Sequence, residues 1–328
     1  WADPPARVGR ISETQGTVWF YEPDQGEWVQ AQRNRPVTDG DRFTTDRGAR
    51  AEVQIGSATV RIGGSTELAF TELDDRHIRL QLNQGSVALH LRRDELARDV
   101  AVFTPQGRFE PLRAGRYRID AQERSVFGAT LSGAMRYEAR DSALTIDAGQ
   151  RAEFWKEPGE RSHYAWTDMP QDRFAEWVRQ EERDNRDERE RYGRWSSPEM
   201  TGADDLHRHG EWDRHPEFGT IWYPHNVGAG WAPYRDGHWA YVRPWGWTWI
   251  DNAAWGFAPF HYGRWVNHRG RWGWAPGQVT GRPVYAPALV GWIGHGNVSI
   301  NVRIGSPGYV GWVPLSPYDV YQPYYHVP

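Results

Sequence analysis

Over the first half of the chain, apolar and polar side chains alternate in short runs separated by turn residues. Residues 8–13, 16–21 and 27–30 alternate or run apolar, and Asp39-Gly40-Asp41 closes this opening stretch. Residues 51–55, 58–62, 67–70, 77–82 and 87–91 follow at roughly ten-residue spacing, the rhythm of short strands joined by turns. Period-two alternation places Val53, Ile55, Val60, Ile62, Leu68, Phe70, Ile78, Leu80 and Leu82 on inward faces. Strands continue through 125–131, 133–138, 143–146 and 150–154, and this part is expected to form a β-solenoid, roll or sandwich ending near Glu157-Pro158-Gly159, a first domain over residues 1–158.

The period then changes. Residues 172–194 are dense in alternating charge, with Phe174, Trp177 and Val178 making a short stripe at helical spacing, so a charged, partly helical connector is expected over residues 159–200. Two readings are open for it: a connector that docks by Phe174 and Trp177, or an ordinary solvated helix.

From Trp195 onward glycine and rings set the pattern. Trp231-Ala-Pro-Tyr-Arg-Asp-Gly-His-Trp239 aligns with Phe257-Ala-Pro-Phe-His-Tyr-Gly-Arg-Trp265 at an offset of 26, and each copy runs into Trp-Gly-Trp, at 245–247 and 272–274. The tetrad Gly-aromatic-Ala/Val-Pro occurs four times, ending at Pro233, Pro259, Pro276 and Pro314. Proline cannot donate to a ladder, so each tetrad belongs at a strand end or edge, and glycine supplies tight turns beside the rings. A domain of short, ring-packed β-hairpins is expected over residues 201–328, which makes the whole chain all-β.

Composition narrows the function. The 328 residues have no cysteine, 20 Trp, 15 Tyr and a net charge of −4 with acid and base interspersed. This excludes disulfides and thiolate chemistry and offers no broad basic surface for nucleic acid. No stretch of 18 apolar residues occurs, so no membrane span is expected. The first residues, Trp-Ala-Asp-Pro-Pro, read as a mature terminus left after signal-peptide removal, which points to a periplasmic or extracellular compartment.

Several blocks carry a family resemblance. Gly16-Thr-Val18, Trp28, Gly40-Asp-Arg-Phe-Thr-Thr45, Ala51-Glu-Val53, Gln84-Gly-Ser-Val87, Phe103-Thr-Pro105 and Gly115-Arg-Tyr-Arg-Ile119 resemble, in order, the FecR family of extracytoplasmic domains over about residues 8–125. That resemblance implies a β-solenoid-like stack outside the cytoplasm, and a role in signalling to a sigma factor that normally depends on a transmembrane helix not found in this sequence. Residues 210–320 resemble a Trp-rich proteobacterial family of unknown function on the strength of Trp231 to Trp239, Trp245-Gly-Trp-Thr-Trp249, Trp255 to Trp265, Trp272-Gly-Trp-Ala-Pro276 and Gly311-Trp-Val-Pro-Leu315.

Exposed Trp and Tyr faces stack on sugar rings, with carboxylates and amides beside them to bond hydroxyls. Tyr234, Asp236, His238, Trp239, Tyr241, Asp251, Asn252, His261, Tyr262 and Trp265 are the candidates for such a site. The competing reading makes most of these rings core, because 11 Trp within residues 212–274 cannot all face water in a soluble domain; a mixture, with two or three rings on a face, is expected. His207, His209 and His215 form a weaker metal candidate, against the plainer reading of a polar loop. Tyr318, Tyr321, Tyr324 and Tyr325 in the Tyr/Pro-rich tail are candidates for an interface or for packing on their own domain. No nucleophile elbow, phosphate loop or paired acid and base is found, and no cofactor is expected. The sequence thus reads as a secreted, non-catalytic envelope module contacting a glycan or another envelope protein. The alternatives are a structural subunit of a homo-oligomeric assembly and an uncharacterised envelope hydrolase.

Overall fold

The computed structural model describes residues 4–23, 25–157, 161–192, 195–277, 281–294, 298–299 and 309–323. The chain divides into two compact units, Val8–Arg186 and a second made of Trp1–Arg7 with Asp187–Pro328. The first unit therefore runs on past Glu157, through the strand Ser162–Trp166 and into the long helix Arg173–Tyr192; Pro158 and Gly159 themselves lie outside the described residues.

Seventeen strands of the first unit form one hydrogen-bonded network with two faces. One runs Pro36–Val37, Gly9–Gln15, Arg50–Ile55, Ala58–Ile62, the end of Ile78–Leu91, Gly115–Ala121, Ser125–Ser132, Gln150–Lys156 and Ser162–Trp166, each antiparallel to the next. The other runs Glu27–Gln30, Val18–Glu22, Arg42–Thr45, Glu67–Leu73, the start of Ile78–Leu91, Val100–Phe103, Arg108–Pro111, Ala134–Glu138 and Ala143–Asp147. Only Val100–Phe103 pairs in parallel, with residues 78–81. Of the expected forms this is the roll: the chain passes back and forth between two sheets and buries their facing sides on each other.

All nine residues expected to point inward are buried, none more than 2% exposed. Phe43 meets Phe20 and Phe70 edge-on at one end of the core, with centroids 5.2 and 5.8 Å away. Phe109, Tyr137 and Phe154 fill the other end, with Tyr137 stacked on Phe154 at 3.7 Å. The strand Ile78–Leu91 joins the sheets by changing parity. Ile78, Leu80 and Leu82 are buried, Asn83 and Gln84 are exposed, and Val87, Leu89 and Leu91 are buried. The break falls at Gly85, whose φ is +93°.

The turn that closes the opening stretch buries a carboxyl. Asp41 accepts the Thr38 N–H at 2.7 Å, and burial pushes its pKa up to about 7 against that hydrogen bond. Between about pH 4 and 7 the folded state then holds a proton that the unfolded chain releases, so stability falls as pH rises through that window and levels off above it. Asp41→Asn is expected to flatten this slope, as read from denaturant midpoints at pH 4, 5.5 and 8; an unchanged slope refutes the assignment.

The first half of the helix docks on the roll. Phe174, Trp177 and Val178 pack on Ala88, Arg50 and Arg118 lie over the Trp177 and Phe174 rings, and Arg118 grips Asp172 with two bonds of 2.6 and 2.8 Å. Beneath it Arg61 bonds Glu52 at 2.8 Å and reaches Glu182 at 3.5 Å. Burial works to raise the Glu52 pKa, but Arg61, Ser12 and Gln54 more than offset it and hold the carboxyl below its usual range.

The second unit is built from hairpins, as the ring-and-glycine pattern predicts. Gly210–His215, Gly219–Pro224, Arg271–Ala275 and Arg264–His268 make a four-stranded sheet, Gly237–Val242 pairs with Gly246–Asp251, and Val290–Gly294 lies between Val298–Ser299 and Tyr309–Pro314. Between 225 and 277 the one helical piece is the single turn Ala258–His261. Each copy of the duplicated motif leads into its own hairpin, and equivalent positions of the two copies meet: the Tyr234 ring stands edge-on to Phe260 at 4.9 Å, and its hydroxyl donates to the Phe260 carbonyl at 2.7 Å. Among the described residues, no helix is long and apolar enough to cross a membrane.

Candidate functional site

Burial sorts the Trp-rich unit. Of the 11 Trp within residues 212–274, Trp222, Trp245, Trp249, Trp255, Trp265 and Trp274 are buried, and Trp247, at 45%, is the exposed one. The indole N–H groups of Trp222 and Trp274 each donate at 2.8 Å, to the carbonyls of Leu206 and Tyr262, so these two rings are buried without stranding a donor.

The ten residues expected to make a sugar platform do not form one. Tyr234, Asp251, His261, Tyr262 and Trp265 are buried. Tyr234 accepts the Leu289 N–H at 3.1 Å, Asp251 takes the Trp249 indole N–H at 3.1 Å and the Ala253 N–H at 3.0 Å, and His261 donates from Nδ1 to the Ala286 carbonyl at 2.8 Å. Trp239 is half-buried against Trp249, Trp292 and Trp312. Asp236 and Asn252 are exposed but bonded to each other at 2.7 Å. His238 and Tyr241 are exposed; Tyr241 meets Trp247 edge-on at 88°, so the two rings do not form one coplanar surface.

The metal candidates are dispersed as well. His207 and His209 sit on the turn Leu206–His209, while His215 ends the next strand, 3.5 Å from His268 Nδ1. His215 Nδ1 accepts the N–H groups of Glu217 and Phe218, so its proton belongs on Nε2, the atom a metal would need bare. In the roll, one ligand atom each of Glu72, Asp74 and His77 falls within 4.8 Å of the others. His77 Nδ1 is hydrogen-bonded to Asp74 at 3.1 Å and Asp74 also takes the N–H groups of Arg76 and His77, which describes a self-satisfied turn. The tail, where described, lies on its own unit: Tyr321 packs on Ala286, Leu289 and Leu315, and Tyr318 contacts Phe218 and donates to Glu217. Tyr324 and Tyr325 lie outside the described residues.

A different set converges. Beyond Pro224 the chain turns through Asn226 and Gly230, both at positive φ, and the Trp231 N–H closes the loop on the Gly228 carbonyl at 3.0 Å. Facing it is the hairpin turn Arg269-Gly270, with φ of +53° and +81°, a two-residue turn suited to the strand twist. Between them lies a cleft of about 500 Å³ lined by residues 224–231 and 270–272, with the half-buried rings of Trp231 and Trp272 in its walls. Arg271 sits over the Tyr223 ring at 4.4 Å and bonds Glu211 at 2.7 Å, and His225 Nε2 stands 3.9 Å from the same carboxylate. The hydrogen bond from Arg271 holds the Glu211 pKa below its usual range, which keeps the group an acceptor. Rings, a fixed guanidinium–carboxylate pair, an imidazole and the Asn226 amide are the equipment for gripping a hydroxyl-rich ring.

No curated protein matches the chain. Two crystal structures of a candidate anti-sigma factor from Parabacteroides distasonis ATCC 8503, at 1.65 and 2.50 Å resolution, are similar at 14% identity and a TM-score of 0.33, covering 39% of this chain and 60% of that one. Residues 203–319, which hold the cleft, match the model of a family of unknown function, DUF6600.

Proposed function

We propose that the chain is a non-catalytic binding module of the cell envelope, periplasmic or extracellular, whose Trp-rich unit holds a glycan in the cleft between Trp231 and Trp272. The observation that carries this reading is the convergence of two half-buried indoles with Arg271, His225 and Asn226 around one opening, Arg271 being held by Glu211 from outside the lining. Stacking supplies affinity, and the ionised pair orients hydroxyls. The ordered FecR-like blocks of the first unit support an extracytoplasmic setting and a role in sensing or display.

Retention of the whole chain on insoluble peptidoglycan and on exopolysaccharide tests the reading. Trp272→Ala and Arg271→Ala are expected to weaken it about tenfold each, roughly 1.4 kcal/mol, without changing the thermal midpoint. Retention unaltered in both variants would count against the cleft. A second reading, assembly with further copies, draws on the edge strand Ser162–Trp166, which exposes the rings of Tyr164 and Trp166 at 52% and 49%; concentration-dependent elution of the intact chain is its signature.

A further inference from the structure

We infer that a second cavity in the Trp-rich unit, separate from the cleft, is an anion site for a carboxylate-bearing sugar ring of the hexuronate class, selected by Arg264. The cavity, of about 520 Å³, opens between residues 261–264, 284–289 and 321–323. The tyrosines Tyr262, Tyr285 and Tyr321 and the aliphatic Leu289 wall it, a space suited to one substituted ring and too large for a bare inorganic anion.

Arg264 is its only charged lining residue among those described. Nη1 donates to the Gly263 carbonyl at 2.7 Å. The Nε and Nη2 edge, the one that grips a carboxylate side-on, makes two contacts of 3.4 Å with the Asp319 carbonyl, at the long limit of a hydrogen bond. The Asp319 carboxylate makes no direct bond to it among those described: it accepts the N–H and the hydroxyl of Ser316 at 2.7 Å each, and feels the Arg264 charge only through space. The guanidinium is half-buried, and burial lowers its pKa. A carboxylate entering here exchanges two stretched contacts for two short, charge-assisted ones and neutralises a partly desolvated charge. The equivalent position of the first copy, His238, is exposed, so the feature belongs to the second copy alone.

Ligand-observed NMR titration of the whole chain with glucuronate, its neutral methyl ester and inorganic phosphate tests this. Glucuronate is expected to bind about tenfold more tightly than the ester, with the preference shrinking between 50 and 500 mM salt and vanishing in Arg264→Gln. Arg264→Lys keeps the charge but loses the side-on fork; it is expected to retain a weaker preference and serves as the readout if the Gln variant does not fold. Equal binding of acid and ester, phosphate binding as tight as glucuronate, or a preference unaffected in both variants overturns the assignment. Trp272→Ala is expected to leave it intact, so the cleft and the cavity can fail separately.

Discussion

Trp222→Ala is expected to destabilise the Trp-rich unit strongly while the roll keeps its stability. Trp222 is wholly buried in the middle of the four-stranded sheet, paired with Trp212 on one side and Trp274 on the other. Its ring meets Trp255 edge-on at 4.9 Å, and its N–H satisfies the Leu206 carbonyl. Gly210 makes room for it: a Cβ there would lie 2.4 Å from the indole. Truncation removes a full indole and strands an acceptor, a loss of about 3–5 kcal/mol in a unit whose whole stability is on the order of 5–15 kcal/mol. Amide exchange resolved by residue should show protection lowered at least a hundredfold across 210–275 and kept across 50–91. Protection retained in both units would show that the rings form a redundant core.

Gly85 carries the second large effect, on the roll. Its φ of +93° is strained for any side chain, and a Cβ would stand 2.2 Å from Thr66 Oγ1 and 2.4 Å from Thr66 Cα. The hydroxyl is already committed, since Thr66 Oγ1 accepts the Ser86 N–H at 3.0 Å, and the backbone atom cannot swing aside. Gly85→Ala is therefore expected to cost about 3–5 kcal/mol by forcing apart the point where one strand leaves one sheet for the other. A urea midpoint for the roll within experimental error of the parent would show that the crossing is pliable.

Much of the fold was legible because burial in a two-sided sheet follows parity. Val53 to Leu82 fall inward as alternation requires, and Gln84-Gly85 marks the place where the inward face changes. Parity names a face without saying what covers it. Trp247 and Trp249 are two residues apart on one strand, yet Trp249 lies under Trp239 and Trp312 while Trp247 is exposed. For the same reason Glu52 and Arg61, on the polar side of their strands, are buried as a pair beneath the helix.

The candidate site was the less readable part. Motif positions such as Tyr234, Asp251 and His261 drew attention because they recur near glycine and tryptophan, but the hairpins fold those positions inward. Glu211 and Arg271 meet across 60 residues of sequence because Gly219–Pro224 lies between Gly210–His215 and Arg271–Ala275 in the sheet, and no local pattern signals that neighbourhood. The turn Arg269-Gly270 was the one available cue, since a two-residue hairpin fixes where the next side chain points.

Tyr234 and Phe260 hold the same place in the two copies and touch each other. Contact between like positions is what a two-fold axis produces when identical halves associate. Joined in a single polypeptide, the halves meet at an effective concentration set by the linker instead of by how much protein is present. A single copy cut from the chain would lay bare the ring its sibling now covers.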